Sequence, residues 1–413
     1  MISFKEKLKL IKNQSSYIVS TQTKQKSVFI LGLYDTGLYV GQTFGRLGIQ
    51  VFGFDHNIKH YGFKSKYIRP IRVKNPLYYP LEVLNTLIAK SKEFIEKPCL
   101  IPTSDEYLEF IAKFYDLLTN FFDFITPPPE VILKILNKYS QIEMAIKSKL
   151  NVPLSFVIKS NFDLVNVIKN YNFNYPVIIK PYNPITWKNK LNYKAFLVDN
   201  KYKLFRIGKR LLNINESFII QRCVSRNVTH HYEYNALCLD GRIMMSLTTK
   251  RFLEYPPFVG SGCIVGTCFN KDIEQLGRKF ILKNQIEGFC NIEFRYDPIK
   301  DKYYFIEINS RVWLQIAHTN IIGYNFLLTY YNFLTQKEKI FCLENFKNSF
   351  LYDKKILWID LINLFKSFLF YDRFSVRKLI KLLFLSKISD FGLLKYDDIK
   401  PFISAIKNEF LKK

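Results

Sequence analysis

The sequence predicts a mixed α/β and α+β protein. A parallel α/β domain comes first, antiparallel hairpins fill the middle, and a helical tail closes the chain. Three observations predict this. Residues 27–55 read as a strand–helix–strand unit, residues 291–311 read as two strands joined by a short turn, and the pattern after Ile340 turns helical and lysine-rich. The expected boundaries are a basic N-terminal segment at 1–26, the parallel domain at 27–126, two antiparallel units at 127–222 and 223–340, and the tail at 341–413.

In the first unit, Val28 to Leu31 is a short apolar run of the kind found in buried parallel strands. Gly32 and Gly37 bracket a turn. Leu38 to Leu47 has helical spacing, Gly48 stands where a C-cap would, and Ile49 to Phe54 is a second strand ending at Asp55. The unit is about 30 residues long, as a βαβ crossover requires. Gly32, Gly37 and Gly41 do not have the spacing of a dinucleotide-binding turn, and the GK[ST] of a phosphate loop is absent. Cys99 to Pro102 is a further short strand, followed by Thr103-Ser104-Asp105-Glu106. Strand ends in open α/β sheets carry ligand residues, so Ser104, Asp105 and Glu106 are candidates for a substrate carboxylate or amine. The same residues also suit a helix start, with Thr103 or Ser104 as cap. Thr126-Pro127-Pro128-Pro129 marks a boundary, because consecutive prolines stop regular structure.

From Asn151 the texture changes. Strands are expected at Pro153–Ile158, Pro176–Lys180, Phe218–Gln221, Glu233–Leu239, Arg242–Thr249, Gly288–Tyr296 and Lys302–Ile308. Helices are expected at Phe162–Asn170 and Asp272–Asn284. Asp240-Gly241 is a hairpin signal.

Composition narrows the function. The chain has 413 residues, 48% of them hydrophobic and 23% charged, so it can bury sizeable cores and is no disordered or collagen-like polymer. Its 61 Lys and Arg against 35 Asp and Glu give a net charge of +26. Such a charge suits nucleic acid, acidic lipid or anionic metabolites, and codon drift in an AT-rich genome explains it equally. The seven cysteines form no CxxC pair, so a zinc ribbon or redox motif is not expected, and a reducing cytoplasm fits them. Charges at Lys5, Glu6, Lys7 and Lys9 break any signal-peptide core. The longest stretch without Asp, Glu, Lys or Arg, Val312 to Gln336, is too polar to span a membrane. Basic aromatic segments at Phe4–Lys12 and Ile356–Phe391 read as packed helices before they read as membrane-surface helices.

The sharpest chemical signal is NIEFRYDPIKDKYYFIEINSR at 291–311. Alternation places Glu293, Glu307 and Asn309 on one face of a hairpin. Two carboxylates and an amide oxygen on one face suit a hard cation such as Mg²⁺, with Mn²⁺ as its substitute. Lys180 ends the strand PVIIK, where a fixed ammonium serves a phosphate. Lys138 precedes the helix-like run YSQIEMAIKSKL. Gln221-Arg222-Cys223-Val224 follows SFII, where a crossover would offer backbone C=O and N–H groups to an adenine edge. Lys250-Arg251, ahead of YPPFVGSGCIVG, offers an anion pocket in which Gly260 and Gly262 permit close backbone approach. His230-His231 and His56-x-x-x-His60 suggest a metal only if carboxylates or cysteines converge on them, and the sequence shows none doing so.

The order of these parts resembles the ATP-grasp superfamily, in particular its predicted carboxylate–amine ligases, from about residue 27 to 335. The unit ending in IPTSDEY resembles the Rossmann-like pre-ATP-grasp domain. NKYSQIEMAIKSKLNVP, YPVIIKP and FIIQRCV resemble the two lysine-bearing segments and the adenine hinge. GFCNIEFRYDP and YYFIEINSR resemble the metal-binding strands. The resemblance implies a nucleotide lid at 127–222 and a catalytic subdomain at 223–340. It implies ATP held by Lys138, Lys180, Gln221, Arg222 and Val224, and Mg²⁺ held by Glu293, Glu307 and Asn309. Arg311 would contact the phosphate or acyl intermediate, and Lys250 or Arg251 an anionic substrate. The chain departs from the family in having no glycine in PYNPITWKNKLNYKAF, so a phosphate lid would rest on Lys188, Lys190 or Lys194. The implied activity joins a small carboxylate to a small amine. A catalytically inactive ATP-binding protein, and a basic RNA- or membrane-binding protein, are the alternatives. No nucleic-acid partner is expected, while a homodimer and a peripheral membrane contact stay open.

Overall fold

The computed structural model describes residues 25–191, 193–336, 356–370 and 376–410. Phe4–Lys12 and Cys342 lie outside them. The N-terminal sheet consists of β1 (Val28–Leu31), β2 (Val51–Asp55), β3 (Arg69–Arg72) and β4 (Cys99–Pro102) in the order β3-β2-β1-β4, all parallel. Every residue of β1 is buried, as expected of a strand covered on both faces. The helix after β1 runs Asp35–Arg46, three residues earlier than the apolar spacing suggests, and Gly48 follows it at φ +76°.

The second sheet is β5 (Ser155–Ile158), β8 (Phe218–Arg222), β6 (Val177–Pro181) and β7 (Phe196–Val198), paired antiparallel. Helices Asn161–Asn170 and Lys201–Asn213 cover it, with Trp187, Phe218, Ile179 and Leu204 in its core.

The largest sheet has the order β13-β12-β9-β10-β11-β14-β15. Its first five strands in that order are β13 (Lys302–Asn309), β12 (Gly288–Asp297), β9 (His231–Leu239), β10 (Arg242–Tyr255) and β11 (Ser261–Thr267). Asp240 and Gly241 turn β9 into β10 with positive φ at both positions, as a tight hairpin needs. β10 continues six residues past the expected end at Thr249, through a bulge near Arg251 to Glu254 that interrupts its alternation, and it pairs there with β11. The tail is not helical throughout. β14 (Ile356–Ile359) and β15 (Lys387–Asp390) add a parallel pair to this sheet, and Leu357 and Trp358 are fully buried there.

One face of the large sheet is apolar. Ile292, Phe294, Phe305 and Ile308 pack on Phe280 and Ile281 of helix Lys271–Asn284, and the rings of Phe280 and Phe305 stack at 5.1 Å. Burying side chains of this size contributes roughly 1.5–3 kcal/mol each. Gly277 lets the helix approach, since a Cβ there would lie 2.2 Å from the Tyr234 ring. The opposite face packs on the N-terminal domain through Leu237, Leu247 and Phe289 at one end. At its other end it is polar. Among the described residues, no helix is long and apolar enough to cross a membrane.

Candidate active site

Strand register builds the site. Glu293 pairs with Glu307 across β12 and β13, and with Glu233 across β12 and β9. Glu233 pairs in turn with Thr249 on β10. The neighbouring row is Asn309, Asn291 and Asn235. Side chains of paired residues share a face, so three carboxylates lie side by side with three amides beside them. Sequence alternation anticipates Glu293, Glu307 and Asn309 on one face, and the register places them together. A bulge between Glu293 and Phe294 takes up Ile306, which keeps Phe305 inward and Glu307 outward.

Each carboxylate has a cation. Lys138, the first residue of helix Lys138–Lys147, donates to Glu307 Oε2 at 2.9 Å. Asn137 caps that helix through the amides of Tyr139 and Ser140, which fixes where Lys138 begins its reach. Arg251 lies between two other carboxylates, with Nε 2.6 Å from Glu233 Oε1 and Nη2 2.7 Å from Glu293 Oε1. Burial pushes the Glu293 carboxyl up, but Arg251 and then His231 outweigh it and hold the group well below its usual range. Glu307 is also lowered: Lys138 is the strongest of the cations that offset burial. Lys180 projects from β6 toward the same charges. Burial brings its ammonium down to about 8, against the pull of Glu307 and Glu293.

The amides form a chain. Asn309 Nδ2 donates to Asn291 Oδ1 at 3.3 Å, Asn291 Nδ2 to Asn235 Oδ1 at 2.8 Å, and Asn235 Nδ2 to Thr249 Oγ1 at 3.1 Å. Donation by Asn309 Nδ2 leaves its oxygen available to a cation. Glu233, Asn235 and Asn291 are not among the residues the sequence singles out. The signal is present, because Glu233 and Asn235 alternate with Tyr232 and Tyr234, but only register shows which strand lies beside which.

Other expected residues fall differently. Lys250, one residue from Arg251, lies on the reverse face, where it donates to the Tyr232 hydroxyl at 3.0 Å, so strand alternation separates the two halves of the expected anion pocket. The Arg222 side chain pairs with Asp297 at 3.0 Å and lies over the Tyr304 ring, and its amide donates to Leu154, which leaves it as a brace between β8 and β12. Gln221 is buried and donates to Ser155 Oγ at 3.0 Å, a contact within the lid sheet. Val224 is half-buried in the loop after β8. Lys194 is exposed and donates to Ser261 Oγ at 2.7 Å. Lys190 binds Glu216 at 2.7 Å, away from the carboxylate row. The side chain of Lys188 lies outside the described residues.

Arg311 reaches across to the N-terminal domain, where its Nε donates to Asp105 Oδ1 at 2.6 Å. Asp105 opens helix Asp105–Lys113. Ser104 precedes that helix without a capping hydrogen bond, and Thr103 instead donates to the carbonyls of Leu31 and Gly32, so neither side chain acts as the helix cap. His56 and His60 both face Asp55, and among the described residues no cysteine or second carboxylate forms a metal-sized cluster with them. His231 does meet carboxylates. Its ring and those of Glu233 and Glu293 bring ligand atoms within 4.8 Å of one another, although the Arg251 guanidinium already bridges both acids.

Residues 270–332, which include the β12–β13 hairpin, match the model of the carbamoyl-phosphate synthase L chain ATP-binding domain. The chain is 24% identical over 241 residues to D-aspartate ligase of Enterococcus faecium, covering 54% of each protein. It is 24% identical over 185 residues to coenzyme γ-F420-2:α-L-glutamate ligase of Methanocaldococcus jannaschii, covering 44% of this chain and 60% of that one. It thus spans little more than half the length of these curated relatives. In three dimensions it is similar to an L-amino acid ligase from Bacillus licheniformis, with TM-score 0.59, 16% identity, and coverage of 76% of this chain and 75% of that one. An N5-carboxyaminoimidazole synthetase from Staphylococcus aureus complexed with ADP gives TM-score 0.59, 15% identity and coverage of 77% and 79%. The chain has the ATP-grasp fold, preceded by a Rossmann-like domain. Within that fold its matching relatives are ligases.

Proposed function

We propose that this protein is an ATP-dependent carboxylate–amine ligase. The observation that carries the reading is the row Glu307–Glu293 beside Asn309, facing Lys138 from a helix start and Lys180 from β6. Oxygen donors on one rigid hairpin, with lysines opposite, match what a triphosphate and a hard cation together require. ATP and Mg²⁺ fit this donor set: Glu293, Glu307 and Asn309 would hold the cation, and Lys138, Lys180 and Lys194 the phosphate oxygens. The cation would neutralise charge on the phosphates. The hinge Gln221–Val224 would present backbone groups to the adenine.

A free carboxylate is a poor acyl donor, so the substrate carboxylate would attack the γ-phosphorus and release ADP, leaving an acyl phosphate. An amine then forms the C–N bond as phosphate leaves, and its proton passes to base or solvent. The chain's contribution is positioning and charge. Lys138 and Lys180 orient the phosphates, Arg311 stabilises the acyl phosphate, and Arg251 holds Glu293 ionised.

Calorimetry with Mg-ATP on wild type and Glu307→Ala tests this. Binding in wild type that is lost in the variant is expected, together with ADP release on a panel of amino acids and small carboxylates. Absence of Mg-ATP binding by wild type would overturn the reading.

A further inference from the structure

The parallel sheet changes direction between β1 and β4, since β1 leads to β2 on one side and β4 returns on the other. In open α/β sheets such a switch point opens a crevice beyond the strand ends. Here the two turns at that point adjoin. A Cβ on Gly32 would lie 3.6 Å from Ser104 Oγ. The first turn is rigidly held: the Leu33 amide donates to Asp55 Oδ2 at 2.5 Å, and the Gly62 amide to the Leu33 carbonyl at 2.9 Å.

This turn presents Asp35, only 9% exposed, whose Oδ1 is buried and has no hydrogen-bond partner among the described residues. Across the turn the Ser104 hydroxyl is buried in the same condition. Leaving a buried carboxylate oxygen unbonded is unfavourable by roughly 1–3 kcal/mol, and more when the group is charged. The surroundings add to that. Burial, then Asp360 and Glu409, push the Asp35 carboxyl well above its usual range. The cations that offset this, Lys366 and Lys194, are bonded elsewhere, to Glu409 and to Ser261 Oγ. Asp360 itself caps helix Leu361–Phe370 through the Asn363 amide at 3.1 Å, and its own amide donates to Cys263 of β11. The segment that carries Asp360 packs against the helix that Asp35 opens, since a Cβ on Gly392 would lie 3.3 Å from the Tyr39 hydroxyl and 3.5 Å from Asp360 Cα, and this helix starts at the crevice. The Asp105–Arg311 bridge links it to the carboxylate row.

A ligand suited to this place brings positive charge and N–H donors together. A carboxylate or phosphate would be repelled by Asp35 and Asp360, and a hydroxyl would supply a donor without charge. A primary ammonium supplies both, with three donors. We propose that Asp35, with Asp360 and the Ser104 hydroxyl, forms the subsite for the ammonium group of the amine substrate. This rests on the ligase reading above, and it assigns the amine to the β1–β4 crevice.

The test uses the full chain and its Asp35→Asn variant, loaded with Mg-ADP and titrated with the twenty protein L-amino acids. Any binder is then compared with its deaminated acid. Wild type is expected to bind at least one amino acid and to reject the deaminated analogue. Asp35→Asn should bind that amino acid at least about ten-fold more weakly, the scale of one charge-assisted hydrogen bond, with unchanged Mg-ATP affinity. Asp360→Asn, which keeps a capping side chain, should weaken it in the same direction. Asp35→Asn should melt no lower than wild type, because it removes a carboxyl whose ionised form burial disfavours. Equal amino-acid affinity in Asp35→Asn, equal binding of the deaminated acid, or a large loss of stability would overturn the subsite while leaving ATP binding intact. Failure of wild type to bind Mg-ATP would instead remove the ligase reading beneath it.

Discussion

Glu293 and Glu307 stand directly opposite each other on neighbouring antiparallel strands, and each carboxylate is held by a different cation, Arg251 for the first and Lys138 for the second. Two carboxylates this close would repel if both were ionised and unpaired. The cations let both stay ionised without a metal, so the site is formed before nucleotide arrives. Removing divalent metal with a chelator should therefore leave the melting temperature of the nucleotide-free protein unchanged. It should abolish the stabilisation that ATP provides, which is about 2.7 kcal/mol at a hundred-fold excess over Kd. Thermal melts with and without EDTA, each with and without ATP, measure this. A drop in the nucleotide-free melt on adding EDTA would contradict it.

Arg251 and Lys250 are adjacent in sequence and opposite in consequence. Arg251 neutralises Glu233 and Glu293 inside the protein, whereas Lys250 touches one tyrosine on the other face. Replacing Arg251 with Leu removes the guanidinium shared by two buried carboxylates and should cost about 3–5 kcal/mol. Replacing Lys250 with Ala should cost less than about 1 kcal/mol. Urea unfolding of the two variants separates them, and equal losses would contradict the assigned faces.

In the proposed site, Lys180 should make nucleotide binding depend on pH. Burial lowers its pKa to about 8 in the free protein. A phosphate favours the protonated form, so binding raises that pKa again. Affinity should be full below pH 8 and fall as pH rises through it, with proton uptake on binding near pH 8. Calorimetry in buffers of different ionisation enthalpy reads the uptake, and Lys180→Met should remove it. The sign for stability follows the same logic. Between about pH 8 and the usual lysine value the unfolded chain binds the extra proton, so the free protein should gain stability as pH rises through that interval.

Gly32 is the residue on which the β1 turn depends. Its φ is +94°, and a Cβ would lie 2.8 Å from Thr103 Oγ1. Gly32→Ala should destabilise the protein by about 1–3 kcal/mol. It should also break the Thr103 bonds that join the turns after β1 and β4. A variant as stable as wild type would show that the turn relaxes freely.

Asp105 binds Arg311 across two domains, with both side chains partly exposed. Asp105→Ala should cost about 1 kcal/mol or less in stability. Its effect on turnover should be larger, because it releases the arginine assigned to the acyl phosphate. A ten-fold or greater fall in ADP release with unchanged ATP affinity is expected. Unchanged turnover would remove the positioning role.

Much of this protein is legible along the chain. The β1–helix–β2 unit, the Asp240-Gly241 turn and the Glu293, Glu307, Asn309 face follow from period-two and helical alternation, which are local properties of the backbone. Lys138 and Lys180 are legible by type, because an ammonium at a helix start or a strand end has few partners nearby in sequence. What alternation cannot supply is which strands become neighbours. Glu233 enters the site only because β9 pairs with β12, and Arg251 separates from Lys250 only because β10 runs on past its expected end. β14 and β15 join the large sheet from a tail that reads as helical, because their short apolar runs carry no period until the sheet edge selects them. Asp35 is ordinary in sequence, a carboxylate at a helix start. Its significance arises when folding buries it without a partner, and that depends on the distant Asp360 and Glu409 lying close enough for their charges to act on it. Sequence determined the elements and the chemistry each can carry. Tertiary structure decided which charges meet, because register, sheet order and burial depend on contacts between residues far apart in the chain.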